Sequence, residues 1–134
     1  MTGDVSSNVV KVTFTPDVPM SVTGNIVVEG LNGTKINNKP VVNNKSTILP
    51  IKHTGKLNLG AVLSDGDDYV TVTGVDASQL YFNLGNGADT VALNYCKADK
   101  LNVDGGTGID VLLTPLGNTL PPVGNANRII KNVP

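Results

Sequence analysis

The sequence predicts an all-β chain: a parallel β-helix or β-roll-like solenoid built of 21-residue coils, with short N- and C-terminal caps. Three observations predict it. First, the Gly-rich stretches "LSDGDDYVTV", "LGNGADTVAL" and "DGGTGIDVLLT" place Asp68, Asp89 and Asp110 at one repeated 21-residue interval. Second, rows of that length bring apolar residues into columns: Val70, Val91 and Leu112; Val72 and Leu93; Leu59, Leu80 and Leu101; Ala61, Phe82 and Val103. Third, apolar and polar positions alternate within each row, as in a strand with one buried face. A fixed period in the range of about 20 to 50 residues marks solenoids and arrays.

The composition agrees. The 134 residues suit one domain, 1–134. Hydrophobic residues make up 40% but aromatics only 4%, with no Trp. A core built from Val, Leu and Ile favours thin, repetitive sheets over a globular α/β interior.

The elements follow in order. Residues 8–15, "NVVKVTFT", alternate cleanly and read as a first strand or cap within an N-terminal segment 1–23. Stacked coils are expected over 24–113. "GNIVVEGLNGTKINNKPVV" supplies one at 24–42, with Asn-rich turns suited to Asn ladders, and "STILPIKHTGKLNLGAV" another through 62. Val28 and Leu49 then fall in the Val70 column and Ile51 in the Val72 column. The clearest coils hold two strands each, near 69–73 and 79–83, then 90–94 and 100–104. At about 3.3 Å per strand residue each coil closes into a narrow loop, and coils stack about 4.8 Å apart. In residues 114–134, Pro115, Pro121 and Pro122 cannot donate ladder hydrogen bonds. This segment reads as a cap over an otherwise exposed edge, with Ile129, Ile130 and Val133 folded back onto the last coil, or as a linker to a neighbouring domain.

Single residues exclude some chemistry. One cysteine, Cys96, rules out an internal disulfide or a cysteine metal cluster, and is expected to be a small buried side chain. His53 in "IKHTGK" is expected in a surface loop without a catalytic partner. A net charge of −1 with no basic cluster argues against nucleic acid. No apolar run is long enough to span a bilayer as a helix. "MTGDVSSNVV" has neither the basic nor the apolar region of a secretory signal, so any such signal is expected outside this sequence.

The Gly-rich turns carry a motif. "GGTGIDVLL", 105–113, matches the nonapeptide G-G-x-G-x-D-x-U-x, where U is a large aliphatic residue, here Leu112. "LGNGADTVA", 84–92, fits with Leu84 in place of the first glycine, and "LSDGDDYVT", 63–71, keeps Gly66, Asp68 and Val70. Over residues 63–113 the chain resembles the RTX, or haemolysin-type calcium-binding, repeats. The resemblance implies a β-roll whose turns enclose calcium, here one or two ions on one edge. Asp68, Asp89 and Asp110 would be ligands, with Asp65, Asp67, Asp104 and Asn86 adding oxygens beside them.

The chemistry is compatible with that implication. Calcium takes about six to eight oxygens, and glycine permits turn conformations closed to other residues. Carboxylates about 4.8 Å apart repel by about 3 to 4 kcal/mol at an effective dielectric of 20, and a cation between them reverses the sign. The sequence departs from the family at the opposite turns, where "GVDASQ" at 74–79 stacks on "YCKADK" at 95–100. Asp-Gly and Asn-Gly pairs also form ordinary turns in which Asp accepts backbone N–H bonds, so a metal-free ladder is the competing reading.

No catalytic constellation is visible. Outward positions carry Thr71, Thr73, Tyr81, Asn83, Ala92 and Asn102, a neutral polar surface with no converging carboxylates. Thr90 and Thr107 do not extend the Thr row of 71–73, which argues against ice binding. Tyr81 and Tyr95 are the stacking candidates for a polysaccharide. The sequence thus predicts a non-enzymatic, extracellular or cell-surface structural or adhesive module of a bacterial protein, stabilised by calcium that binds the folded chain. The alternatives are a carbohydrate-binding accessory module and a metal-free structural fragment of a larger surface protein. Expected partners are polysaccharide or neighbouring domains.

Overall fold

The computed structural model describes residues 7–18, 23–31, 46–115, 117–126 and 128–134. They are all-β, arranged in two sheets. The strands are β1 (Val9–Pro16), β2 (Thr23–Leu31), β3 (Ser46–Thr54), β4 (Leu57–Val62), β5 (Tyr69–Thr73), β6 (Asp76–Asn83), β7 (Thr90–Asn94), β8 (Lys97–Asp104), β9 (Val111–Leu113) and β10 (Arg128–Lys131). A mixed six-stranded sheet runs β3-β2-β1-β5-β7-β9, and a parallel four-stranded sheet runs β10-β8-β6-β4.

From β4 onward the chain alternates between the sheets, so each strand lies parallel to the next but one. Both sheets share a 21-residue register. In the first sheet Tyr69 pairs with Thr90 and Thr90 with Val111. In the second, Leu59 pairs with Leu80 and Leu80 with Leu101. The columns read from periodicity are therefore physical columns in this part of the chain.

Upstream the register differs from expectation. β2 runs antiparallel to β1 and β3 antiparallel to β2, so these two strands do not continue the 21-residue ladder. Val28 lies opposite Val12, and Ile51 opposite Ile26, rather than beneath Val70 and Val72. Those places belong to Val10 and Val12 of β1, which pairs in parallel with β5. The reason is physical: alternation shows which face of a strand is buried but is the same for parallel and antiparallel partners. The Asn-rich residues after Leu31 fall outside the described residues. His53 belongs to β3, not to a surface loop, and its Nε2 is buried without a hydrogen-bond partner among the described residues.

The inward residues of both sheets form one core. Val12, Val70, Val72, Val75, Leu80, Phe82, Leu84, Val91, Leu93, Leu101 and Val103 are fully buried. Each contributes about 1.5–3 kcal/mol of apolar burial. Cys96 joins them at the corner between β7 and β8, its Sγ 3.4 Å from the carbonyl oxygens of Val72 and Asn94. Burial pushes its thiol pKa up. We expect Cys96 to stay unmodified by an aromatic disulfide reagent in the native protein and to react fully in denaturant; fast native labelling would place the thiol outside the core.

The C-terminal segment lies on β8 in two pieces. Lys97 bridges to Thr119, and β10 pairs in parallel with Leu101–Asp104. Between them come Pro121 and Pro122, which interrupt the ladder. Asn118 fixes the approach: its Oδ1 accepts the Cys96 N–H, and its amide donates to Leu93 O and Pro115 O. Ile130 and Val133 pack against the core, whereas Ile129 is exposed.

Candidate functional site

The connections from β4 to β5, from β6 to β7 and from β8 to β9 form a third ladder alongside the two sheets. Asp65, Asn86 and Thr107 lie one above another in parallel bridges. Asn86 N–H donates to Ser64 O at 2.9 Å and Thr107 N–H to Gly85 O at 3.0 Å. Gly66 N–H donates to Asn86 O and Gly87 N–H to Thr107 O, both at 2.8 Å. The turns therefore touch backbone to backbone.

That contact explains the glycines. A Cβ on Gly85 would stand 1.7 Å from Ser64 O, and its φ is +99°. The same approach recurs one repeat later, where a Cβ on Gly106 would stand 1.8 Å from Gly85 O. Only glycine adopts such turns at such spacing without displacing the neighbouring carbonyl.

Side chains reinforce this ladder on its outer surface. Asn86 Nδ2 donates to Asp65 Oδ1, and Thr107 Oγ1 donates to Asn86 Oδ1, both at 2.6 Å. Asp67 Oδ1 accepts the Ala88 N–H at 2.8 Å. Asp104 Oδ1 accepts from Gly106 N–H and from Asn132 Nδ2.

Inside the turn runs a second column, formed by the aspartates found from periodicity. Asp68 is 2% exposed, and Asp89 and Asp110 are fully buried. Each takes the backbone N–H of the repeat before it. Asp89 Oδ1 accepts from Asp68 N–H at 2.8 Å, and Asp110 Oδ1 accepts from Asp89 N–H at 3.0 Å. Asp68 Oδ1 accepts from both the backbone N–H and the side-chain amide of Asn8, at 2.6 and 3.0 Å.

Asn8 is the residue that counting by the repeat misses. It is fully buried and begins the same pattern, since "NVVKV" repeats "DYVTV" and "DTVAL" with Asn in place of Asp. The shared signal is an Asx residue followed by alternating aliphatics. The count passes over it because Asn8 meets Asp68, and Val10 meets Val70, at an offset of 60, which is not a multiple of 21.

The column is electrostatically loaded. Burial raises the pKa of Asp89 to about 6; the hydrogen bond from Asp68 N–H opposes the shift, and the charges of Asp68, Asp110 and Asp67 add to it. Asp89 Oδ2 and Asp110 Oδ2 are buried and accept no hydrogen bond among the described residues.

The structure thus brings Asp68, Asp89 and Asp110 together inside the turn and places Asp65, Asp67 and Asn86 on its surface, with Asp104 at the end of β8. Calcium takes about six to eight oxygens. Here the Oδ1 atoms and the carbonyls of Ser64, Gly85, Asn86 and Thr107 accept hydrogen bonds from the chain itself. Among the described residues no three or more His, Cys, Asp or Glu side chains are grouped to hold a metal ion. The two unpartnered oxygens by themselves do not make a calcium shell.

Tyr81 and Tyr95 lie in different elements. Tyr81 is on β6, between Gly60 of β4 and Asn102 of β8, with its ring 3.8 Å from where a Cβ on Gly60 would stand. Tyr95 occupies the corner before β8 with φ +53°, 71% exposed, its ring against Gly117. Among the described residues no helix is long and apolar enough to cross a membrane. No protein-family model, no curated protein and no solved structure matches the chain.

Proposed function

We propose that this chain is a non-catalytic structural module of an extracellular or cell-surface protein, a β-solenoid of 21-residue coils whose Asp and Gly turns hold the coils in register. The observation that carries the reading is the shared 21-residue register of three separate ladders. Along the buried column each coil's carboxylate receives the N–H of the coil before it, so the polar groups serve the chain's own shape. Its partners in this reading are neighbouring domains of a larger surface protein.

A second reading keeps calcium, as the RTX resemblance implies. What favours it is the pair of buried oxygens, Asp89 Oδ2 and Asp110 Oδ2, whose charge a cation would offset. Thermal melts followed by circular dichroism in millimolar calcium and in excess EDTA, with Asp89→Ala alongside, separate the two. Identical melting temperatures in both buffers, with the shift made by Asp89→Ala the same in each, are expected of the hydrogen-bonded ladder. A rise with calcium that the variant abolishes establishes the metal instead, by linkage of binding to folding.

A further inference from the structure

We propose that the Asn86–Gly87 peptide is a latent deamidation site, held shut by Thr107 of the following repeat, and that reaction there breaks the turn ladder permanently. The site belongs to the outer column of that ladder and stands whether or not calcium binds.

Asn-Gly is the pair in which asparagine loses its amide most readily. The glycine nitrogen, unshielded by a side chain, attacks the asparagine Cγ; a C–N bond forms as the Cγ–Nδ2 bond breaks, and ammonia leaves. Water then opens the resulting succinimide at either carbonyl, giving aspartate or isoaspartate. Chain and water are the only reactants. The sequence holds two such pairs, Asn32–Gly33 and Asn86–Gly87, and the first lies outside the described residues. Asn86 is exposed, so burial does not keep water from it.

Hydrogen bonds restrain it instead, and one residue holds both reacting groups. Gly87 N–H, which carries the nucleophilic nitrogen, donates to Thr107 O at 2.8 Å. Asn86 Oδ1, on the carbon to be attacked, accepts from Thr107 Oγ1 at 2.6 Å. Asn86 Nδ2, the leaving group, donates to Asp65 Oδ1 at 2.6 Å. The amide thus spans the ladder between Asp65 and Thr107 and cannot turn back onto Gly87 N without giving up both bonds. The Asn86 backbone is fixed to the preceding repeat, its N–H donating to Ser64 O and its carbonyl accepting from Gly66 N–H. Release of the turn at 106–108 therefore frees nucleophile and amide together, and exposed turns open locally at lower cost than core strands.

The product does not fit back. An aspartate formed at this position has no donor for Asp65 Oδ1, and two carboxylates then face each other across a strand spacing of about 4.8 Å. Isoaspartate adds a methylene to the main chain between two bridges, Asp65 to Asn86 and Asn86 to Thr107. Either route removes the residue from its column. In a structural surface module, the site turns transient loosening of the last coil into a lasting chemical mark.

The test is peptide mapping by mass spectrometry of the full chain aged at mildly alkaline pH in EDTA, which assigns each amide-to-acid mass change to Asn86 or to Asn32. The native parent is expected to convert Asn86 at least about a hundredfold more slowly than the urea-unfolded chain. Thr107→Val, which keeps the carbonyl but not the hydroxyl, is expected to raise the native rate about five- to tenfold. Gly108→Ala is expected to raise it further, because its Cβ would stand 1.7 Å from Gly87 O and drives the two turns apart. Hydrogen exchange at Leu93 and Leu101 in the same samples shows whether the core strands stay closed; if Gly108→Ala opens them, Thr107→Val decides. Asn86→Asp, which reproduces one product, is expected to speed exchange at the Thr107 amide. Conversion of Asn86 as fast in the native as in the unfolded chain overturns the proposal. So does a Thr107→Val rate equal to the parent's, or Thr107 exchange left unchanged by Asn86→Asp.

Discussion

Gly85→Ala is expected to destabilise the chain by more than about 3 kcal/mol, a large share of the 5–15 kcal/mol typical of a domain. Two effects combine. Alanine at φ +99° is strained, and its Cβ would fall 1.7 Å from Ser64 O, a backbone atom that cannot rotate away. To admit the methyl group, the turn must separate from its neighbour, which gives up the bonds from Asn86 N–H to Ser64 O and from Thr107 N–H to Gly85 O. Gly55→Ala is the control, because Gly55 also has positive φ, +81°, but has no atom of the described residues within 4 Å of the place its methyl group would take. Its expected cost is the backbone strain alone, about 1–2 kcal/mol. Urea unfolding of the two variants checks the difference, and equal losses would show that close stacking does not dictate glycine at position 85.

The same contrast shows what the sequence revealed and what it concealed. From Leu57 to Leu113 the repeat was legible because equivalent residues bury equivalent side chains. Val70, Val91 and Leu112 line one column, while Leu80 and Leu101 line another across the core. The glycines and aspartates were equally visible, but their partners were not. Glycine suits a turn around an ion and a turn pressed against its neighbour alike, so the close approach of Ser64 O to Gly85 could not be read from it. The first strands were legible as strands but not as neighbours, because β1 enters the ladder at an offset outside the repeat and β2 and β3 reverse direction. Asn8 was hidden for the same reason, although its local pattern matches those of Asp68 and Asp89.

Stability is expected to fall by about 2 to 3 kcal/mol as pH rises from 4 to 7 in EDTA, through Asp89 alone. Its pKa stands at about 6 in the folded chain, chiefly because burial disfavours the charged carboxylate. In the unfolded chain it returns to about 4. The folded state thus holds the proton more tightly, so its contribution is fully present below pH 4, is lost as pH rises to about 6, and changes little above that. Asp89→Asn isolates this effect, since the amide oxygen can still accept Asp68 N–H but carries no charge. The variant is expected to lack this pH-dependent loss and to match or exceed the parent at pH 7. Asp89→Ala is expected to be weaker than Asp89→Asn at every pH by about 1–3 kcal/mol, because it leaves the Asp68 N–H buried without its acceptor. Urea titrations of the three proteins at pH 4, 5, 6 and 7 provide the measurement. If the parent gains stability over that range relative to Asp89→Asn, Asp89 is favoured in its charged form, and the column must hold a counter-charge that the hydrogen-bonded ladder does not supply.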